Sequence, residues 1–310
     1  MVDREIIREI QLSGLRLLHG FDEACRKSGA LYFAFAGTLL GAIRHNGYIP
    51  WDDDLDIGIL REDLDRLAAL PKEAWGDDVE LVMPDDPDPR HDKIFPRVYL
   101  KNTRIQSYRD VRDWIDPVSK RPWSTSLMID LYVFDAIPDD QEEYLRIRKV
   151  VHKSKKWYKA AKLPSNLKNV PAKRLVKNIG KEAYRKTVGL ISKEPWKKLY
   201  REQLEAIRGG RAGSRIGSYY SNHADMYFAR TDVFPLQSCR FEDMEIPVPK
   251  NYEQFLKVAY GDTYMQFPPE KDRFHINFIF ADLGNGQVFC IDPIPGSLGE
   301  AYQCSLADQI

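Results

Sequence analysis

Four aspartates fall within five positions of the segment GYIPWDDDLDIGI, namely Asp52, Asp53, Asp54 and Asp56. The alternating apolar residues that follow predict a strand, in which side chains two positions apart share a face. Asp54 and Asp56 are therefore expected to point together. Two carboxylates at that spacing are costly to keep ionised without a cation, and Mg²⁺ or Mn²⁺ prefers oxygen ligands. The pattern predicts a divalent metal site of the kind that neutralises phosphate oxygens in phosphoryl transfer.

Two other interpretations of the acidic segment are a calcium-binding loop and a solvated turn. An EF-hand loop requires Gly at its sixth position and Glu at its twelfth. Counted from Asp52, these positions hold Ile57 and Asp63, which excludes that loop. A solvated turn stays as the alternative, and the neighbouring predicted strands and helix disfavour it.

A third carboxylate should come from a neighbouring strand. Asp130 interrupts the apolar run LMIDLYVFD, where an acid is seldom buried without a partner. Asp135, at the end of the same run, is the second candidate and is more readily explained as a strand-end acid. Asp130 is therefore the predicted partner of Asp54 and Asp56.

Gly37 and Thr38 stand between a predicted strand, LYFAFAG, and a predicted helix, TLLGAIRHNG. Thr38 could cap that helix, and free N–H groups at a helix N-terminus favour a phosphate. Gly37 would let the phosphate approach the backbone closely. A strand–Gly–Thr–helix unit followed by an Asp-x-Asp strand is far more specific than either part alone.

The remaining pattern predicts a mixed α/β fold that holds these residues around one sheet. Residues 3–29 have helical spacing, 54–60 alternate as a strand, and the segments DVELVM, KIFPRVYL and SLMIDLYVFD are further predicted strands. Residues 139–209 have helical character instead. Short strands and a helix at 251–260 follow.

The charge is distributed unevenly along the chain. The net charge is zero, yet residues 146–198 contain 18 lysines and arginines and 2 acids, Glu182 and Glu194. Three interpretations of this basic segment stay open: a solvated helical face, docking on anionic lipid head groups, and binding of an anionic polysaccharide. No recognised motif for nucleic-acid binding accompanies the charge.

The segment GTLLGAIRHNGYIPWDDDLDIGI strongly resembles the signature of the LicD family, which includes bacterial phosphocholine transferases and the animal fukutin-related proteins. That family belongs to the nucleotidyltransferase superfamily. A second, looser block at 241–275, FEDMEIPVPKNYEQFLKVAYGDTYMQFPPEKDRFH, also resembles it. The resemblance runs from about residue 30 to 275 and is weak across the basic segment.

The resemblance implies a nucleotidyltransferase-like central mixed sheet flanked by helices, with an inserted basic helical subdomain. We expect residues 1–138 to form the first part of the catalytic core. Residues 139–212 would be the insertion, and residues 213–310 would complete the core and the donor site.

The resemblance also implies a reaction that depends on Mg²⁺ or Mn²⁺. A CDP-linked donor passes its phospho-alcohol, with phosphocholine and hence CDP-choline favoured, to a glycan hydroxyl and releases CMP. Asp54 and Asp56 match the metal-binding pair. Asp130 matches the third carboxylate, which can also take the proton of the incoming hydroxyl. Gly37 and Thr38 match the turn that binds the donor phosphate.

Four further residues are candidates for binding the donor. Arg44 could turn from the end of its helix towards the phosphates, or could be a surface or salt-bridging arginine. Lys93 and Arg97 are predicted to share a face of the strand KIFPRVYL and to contact phosphate. His275 could bind nucleotide or metal, or be structural. Asp52 and Asp53 are expected to bond to Arg44 or to the backbone.

Four aromatic residues near the Asp130 strand, Tyr108, Trp114, Trp123 and Tyr132, bear on the head group of the donor. Aromatic faces could cage a quaternary ammonium, which would favour choline over ribitol or ethanolamine. Core packing is the alternative use for any of them.

Two other functions stay open beside phospho-alcohol transfer. The chain could be a true nucleotidyltransferase that adds NMP to a small acceptor, or an inactive glycan- or nucleotide-binding protein. The favoured transferase would modify a glycan of lipopolysaccharide, capsule or teichoic acid, on a lipid-linked acceptor if the basic segment meets a membrane. No nucleic-acid partner is expected.

The sequence contains no run of about 18 apolar residues, and its charged start, MVDREIIREIQ, lacks the apolar centre of a signal peptide. Four scattered cysteines predict reduced thiols rather than a zinc site or disulfides. We therefore expect a cytoplasmic protein that could lie peripherally at the inner face of the membrane.

Overall fold

The computed structural model describes residues 2–168, 170–221, 226–270, 273 and 278–290. A mixed sheet flanked by helices confirms the predicted α/β class. The helices in those residues are α1 (Val2–Ser28), α2 (Ala36–His45), α3 (Arg61–Ala68), α4 (Tyr108–Asp113), α5 (Gln141–Lys162), α6 (Ala172–Ile191), α7 (Pro195–Arg208), α8 (Arg230–Val233) and α9 (Tyr252–Tyr260). The strands are β1 (Tyr32–Ala34), β2 (Leu55–Leu60), β3 (Val79–Val82), β4 (Arg97–Leu100), β5 (Arg104–Ser107), β6 (Met128–Ile137), β7 (Arg215–Gly217), β8 (Tyr227–Ala229), β9 (Gln237–Phe241), β10 (Met244–Val248), β11 (Phe278–Asp282) and β12 (Val288–Cys290).

The central sheet brings the Asp-x-Asp strand beside the strand that carries Asp130. Its order is β1-β2-β6-β4-β3, with β7 added along β6 and β8 along β7. β2 and β6 are parallel, and their register places Asp56 opposite Asp130. β4 is antiparallel to β6 and places Arg97 opposite Asp130. Three distant segments therefore meet at one position of the sheet.

The long helix α1 covers one side of this sheet. Ile6, Ile10, Leu17 and Phe21 recur at helical spacing and are buried, which fulfils the periodicity in the sequence. The helix packs on α3, β3, β4 and β6. Each such large apolar side chain contributes about 1.5–3 kcal/mol of transfer free energy.

The basic segment folds as three helices, α5 to α7, before β7 returns the chain to the sheet. Ile147, Val151 and Tyr158 of α5 belong to the same hydrophobic core as the sheet. The boundaries proposed for an inserted subdomain stay a prediction. In the described residues, the structure has no helix with both the length and the apolar character needed to cross a membrane.

Three details differ from the sequence-based expectations. The strand predicted at KIFPRVYL begins only at Arg97, and Lys93 lies in a bend before it. The prediction that Lys93 and Arg97 share a strand face was therefore wrong. Cys25 and Cys239 are free thiols as expected, whereas Cys290 is disulfide-bonded.

Candidate active site

The structure brings Asp54, Asp56 and Asp130 together at the N-terminal ends of the parallel strands β2 and β6. Asp56 and Asp130 lie opposite each other, and Asp54 directly precedes β2. Burial and the charges of Asp54 and Asp130 raise the pKa of Asp56 well above its ordinary value. Burial and Asp130 likewise raise the pKa of Asp54. The three carboxylates are therefore close enough for their charges to interact.

Asp52 and Asp53 extend this acidic cluster. Burial, followed by the charges of Asp54 and Asp53, raises the pKa of Asp52 to about 8. Burial and Asp54 raise the pKa of Asp53 to about 6. The carboxylates of Asp52 and Asp53 each accept the backbone N–H of Asp53, which agrees with the expected bonding to the backbone. Arg44, the other expected partner, donates instead to His45, Tyr264 and Gln266.

The acidic cluster is partly exposed to solvent. Asp54 is exposed, while Asp52, Asp53, Asp56 and Asp130 are half-buried. Burial is nevertheless the largest cause of the raised pKa of Asp54, because protein atoms surround its carboxylate closely. A ligand can therefore reach these oxygens in an environment where charge interactions are strong.

Gly37 and Thr38, at the start of α2, form hydrogen bonds to β2. The prediction that Thr38 caps α2 was wrong, because the helix begins at Ala36 and Thr38 is buried within its first turn. The Thr38 hydroxyl accepts the backbone N–H of Asp56 at 2.8 Å. The Gly37 N–H donates to the Asp56 carboxylate. A Cβ at Gly37 would stand 2.8 Å from an oxygen of Asp52, so a larger residue there would displace the Asp52 carboxylate.

Arg97 holds Asp130 instead of standing free for phosphate. Its Nε donates to Asp130 Oδ1 at 2.5 Å and its Nη1 to Asp92 Oδ1 at 2.6 Å. Lys159 Nζ joins Asp92 Oδ2 and Asp110 Oδ1, each at 2.6 Å. Burial opposes ionisation of Asp92, but Lys159 and Arg97 outweigh it and lower the pKa of that carboxyl. Arg97 therefore acts on the site through Asp130.

The oxygen donors of the acidic cluster suit Mg²⁺ or Mn²⁺ by their chemistry. In the described residues, however, no three His, Cys, Asp or Glu side chains are already grouped to hold a metal ion. One oxygen of Asp130 is engaged by Arg97. Side-chain rotation of the aspartates would have to accompany metal binding.

Arg44 lies near Tyr260 and is surrounded by aromatic rings. Its Nη1 donates to the carbonyls of Tyr264 and Gln266 at 2.8 and 3.1 Å. Its guanidinium carbon lies 5.3 Å from the ring centre of Phe267, and that of Arg273 lies 5.4 Å from the same ring. Neither arginine forms an ion pair among the residues that the structure describes. Burial, and then the charge of Arg273, lower the pKa of Arg44, while Tyr260 opposes that effect.

Tyr132 and Tyr260 both lie close to the acidic cluster. The sequence-based prediction considered Tyr132 only for the aromatic cage and gave Tyr260 no role. Tyr132 lies two positions from Asp130 on β6, a spacing that could have indicated it. Tyr260 ends α9, and burial together with Asp56, Asp52 and Asp54 raises the pKa of its hydroxyl. No local signal places Tyr260, because it is more than 200 residues from Asp52–Asp56 and 130 residues from Asp130 in sequence.

The predicted aromatic cage does not assemble around the acidic cluster. Trp114 and Trp123 are buried, and the ammonium of Lys159 lies 5.4 and 4.1 Å from their ring centres. Tyr132 packs on Phe95, with ring centres 5.6 Å apart. The side chain of Tyr108 lies outside the part that the structure describes.

The last predicted site residues have different outcomes. Lys93 neighbours Asp92 and Lys155 rather than sharing a face with Arg97. His275 lies outside the described residues. Asp135, the second candidate for the third carboxylate, is paired with Arg61 at 2.7 Å.

Comparison with known proteins gives the family. Residues 29–170 match the profile described as LicD/FKTN/FKRP, nucleotidyltransferase domain. The chain is 24% identical over 269 residues to the lipopolysaccharide cholinephosphotransferase LicD of Haemophilus influenzae, covering 86% of this chain and 94% of that protein. It is 51% identical over 43 residues to the ribitol 5-phosphate transferase FKRP of Homo sapiens, covering 14% of this chain and 9% of that protein. The domain at residues 29–170 is therefore a nucleotidyltransferase domain of the LicD/FKTN/FKRP type.

Proposed function

We propose that this chain transfers a phospho-alcohol, with phosphocholine favoured, from a CDP-linked donor to a glycan hydroxyl and releases CMP. One observation carries the proposal: Asp56 and Asp130 are paired in register on β2 and β6, Asp54 directly precedes β2, and Gly37 and Thr38 at the start of α2 both bond to Asp56. The LicD relative, which the chain covers almost completely, is named for transfer of phosphocholine and for lipopolysaccharide. The FKRP relative is named for transfer of ribitol 5-phosphate.

Asp54, Asp56 and Asp130 would hold Mg²⁺ or Mn²⁺, which would neutralise phosphate oxygens of the donor. The remaining steps belong to this chain's own residues. Asp130 would accept the proton of the glycan hydroxyl. Arg97 would keep Asp130 oriented for that transfer, and Asp92 would hold Arg97 from the other side.

Arg44 and Arg273 would supply positive charge for the donor's diphosphate. Their two guanidinium groups share the faces of Trp51 and Phe267, at 5.2 to 5.9 Å from the ring centres. An anion between two guanidiniums relieves their repulsion and can accept several charge-assisted hydrogen bonds. Tyr260 would stand between Arg44 and the acidic cluster, since the charges of Asp56, Asp52 and Asp54 raise the pKa of its hydroxyl and the charge of Arg44 lowers it.

A screen of donors tests the proposal. The protein would be incubated with Mg²⁺ and a glycan extract, and with CDP-choline, CDP-ribitol or CDP-ethanolamine in turn, and CMP would be measured. We expect release from CDP-choline and its loss in Asp56→Asn. The exposed Asp65→Asn on α3 is the matched control and should keep full activity.

Two outcomes would replace the proposal. Conversion of CTP to pyrophosphate, without CMP from any CDP-alcohol, would make the chain a true nucleotidyltransferase. Binding of CDP-choline without turnover, in the presence of either metal, would make it a binding protein.

A further inference from the structure

The helix α6 presents its apolar side to solvent and its polar side to the protein. Val176, Ile179 and Leu190 are 73%, 51% and 89% exposed. At 100° per residue these positions fall on one face of the helix, together with Ala183, which is also exposed. An amphipathic helix of a globular protein normally has the opposite orientation.

Polar contacts fasten the inner side of α6. Asn178 is fully buried, and its amide donates to the carbonyl of Asn166 at 2.8 Å. Arg174 and Lys181 approach Asp113 at 3.7 and 3.6 Å. Tyr184 also packs on Trp157 of α5, with ring centres 4.4 Å apart. The helix is therefore held in this orientation by specific partners.

Lysines border the exposed apolar face. Lys173, Lys177 and Lys186 are exposed, and none forms an ion pair within the described ranges of the chain. Glu182 is the one acid in the sequence of α6. It points away from this face, because Arg185 and the N–H of Ser165 engage its carboxylate. The exposed face thus combines apolar side chains with uncompensated positive charge.

We propose that α6 is an interfacial helix that docks on a lipid bilayer containing anionic head groups. Its apolar stripe would enter the boundary between head groups and acyl chains, and the lysines would meet lipid phosphates. A second copy of this chain fits less well, because a two-fold interface would place the lysines of both copies opposite each other. The proposal does not depend on the transfer reaction.

Vesicle flotation of the full-length protein tests this directly. We expect binding to vesicles of mixed phosphatidylglycerol and phosphatidylcholine, and at least about tenfold weaker binding to phosphatidylcholine alone. Ile179→Glu combined with Leu190→Glu should weaken binding to the mixed vesicles by about tenfold or more, since both changes put charge on the apolar stripe. Leu145→Glu is the matched control, because Leu145 is a 49% exposed leucine on α5.

A second measurement separates docking from misfolding. Hydrogen exchange of the wild-type protein should slow in α6 when mixed vesicles are added, and stay unchanged in α9. Equal flotation of the wild type and the double variant would overturn the proposal. So would a wild-type dimer in light scattering that the double variant abolishes, in the absence of vesicle binding. Neither measurement uses a donor or an acceptor, so the proposed transfer reaction is tested separately by CMP release.

Discussion

Replacing Asp52 by Asn should stabilise the protein at pH 8 in the absence of metal. The pKa of Asp52 is raised to about 8 by burial and by the charges of Asp54 and Asp53. In the folded protein Asp52 therefore keeps its proton up to that pH and shares it with Asp54. An asparagine amide is close in shape to a protonated carboxyl and can donate the same bond. Because asparagine is uncharged at every pH, folding of the variant no longer requires a proton to be bound at position 52.

The magnitude follows from the difference between the folded and unfolded pKa values. A rise from about 3.9 to about 8, at about 1.4 kcal/mol per pKa unit, sets an upper limit of about 5 to 6 kcal/mol. Solvent reaches the half-buried Asp52, so we expect about 1–2 kcal/mol. Because the folded pKa is raised, wild-type stability is unaffected below about pH 4 and falls as pH rises towards 8. The advantage of Asp52→Asn should grow across that window.

Urea denaturation of both proteins at pH 5 and pH 8, in EDTA, measures this difference. The gain for Asp52→Asn should be larger at pH 8 than at pH 5. Asp65→Asn, at an exposed position of α3, should show no gain at either pH. A variant that is less stable than the wild type at pH 8, or a gain that does not change with pH, would refute the assigned repulsion.

Three more predictions concern the residues around the acidic cluster. Mn²⁺ should raise the melting temperature of the wild type measurably, and Asp56→Asn should abolish that rise; an unchanged rise would remove Asp56 from the metal site. Thr38→Val should lower the free energy of unfolding by about 1–3 kcal/mol in urea, because it strands the buried N–H of Asp56, whereas Thr38→Ser should keep most of the stability. Arg97→Lys keeps the charge but cannot span both Asp92 and Asp130, so kcat for CMP release should fall by about tenfold or more with a smaller change in KM; an unaltered kcat would show that the orientation of Asp130 is not needed.

Much of the acidic cluster could be predicted from local patterns. The two-residue spacing of Asp54 and Asp56 and the position of Asp130 in an apolar run both report strand geometry, which depends on neighbouring residues alone. The parallel register of β2 and β6 then aligns Asp56 with Asp130. The strand-to-helix transition was predicted slightly too late, because α2 already begins at Ala36 and Gly37 lies inside it, and Thr38 bonds to β2 instead of capping the helix.

The partners of these residues could not be predicted in the same way. Lys93 and Arg97 lie four positions apart, yet a bend separates them and only Arg97 meets Asp130. Trp114 and Trp123 are close to the Asp130 strand in sequence, but they pack under Lys159 instead. Such contacts depend on how separate helices and strands pack in three dimensions. Closeness in sequence does not predict that packing.

The sequence by itself determined the mixed α/β fold, the family signature and the carboxylate strand pair, because periodicity and spacing are local properties of the chain. Only the tertiary structure decided which side of each element is buried. Helical spacing in α6 defines an apolar stripe, yet Asp113 and Asn166 from other segments bind the opposite side and leave that stripe in solvent. The same holds for Tyr260, which reaches the acidic cluster because α9 packs on α2.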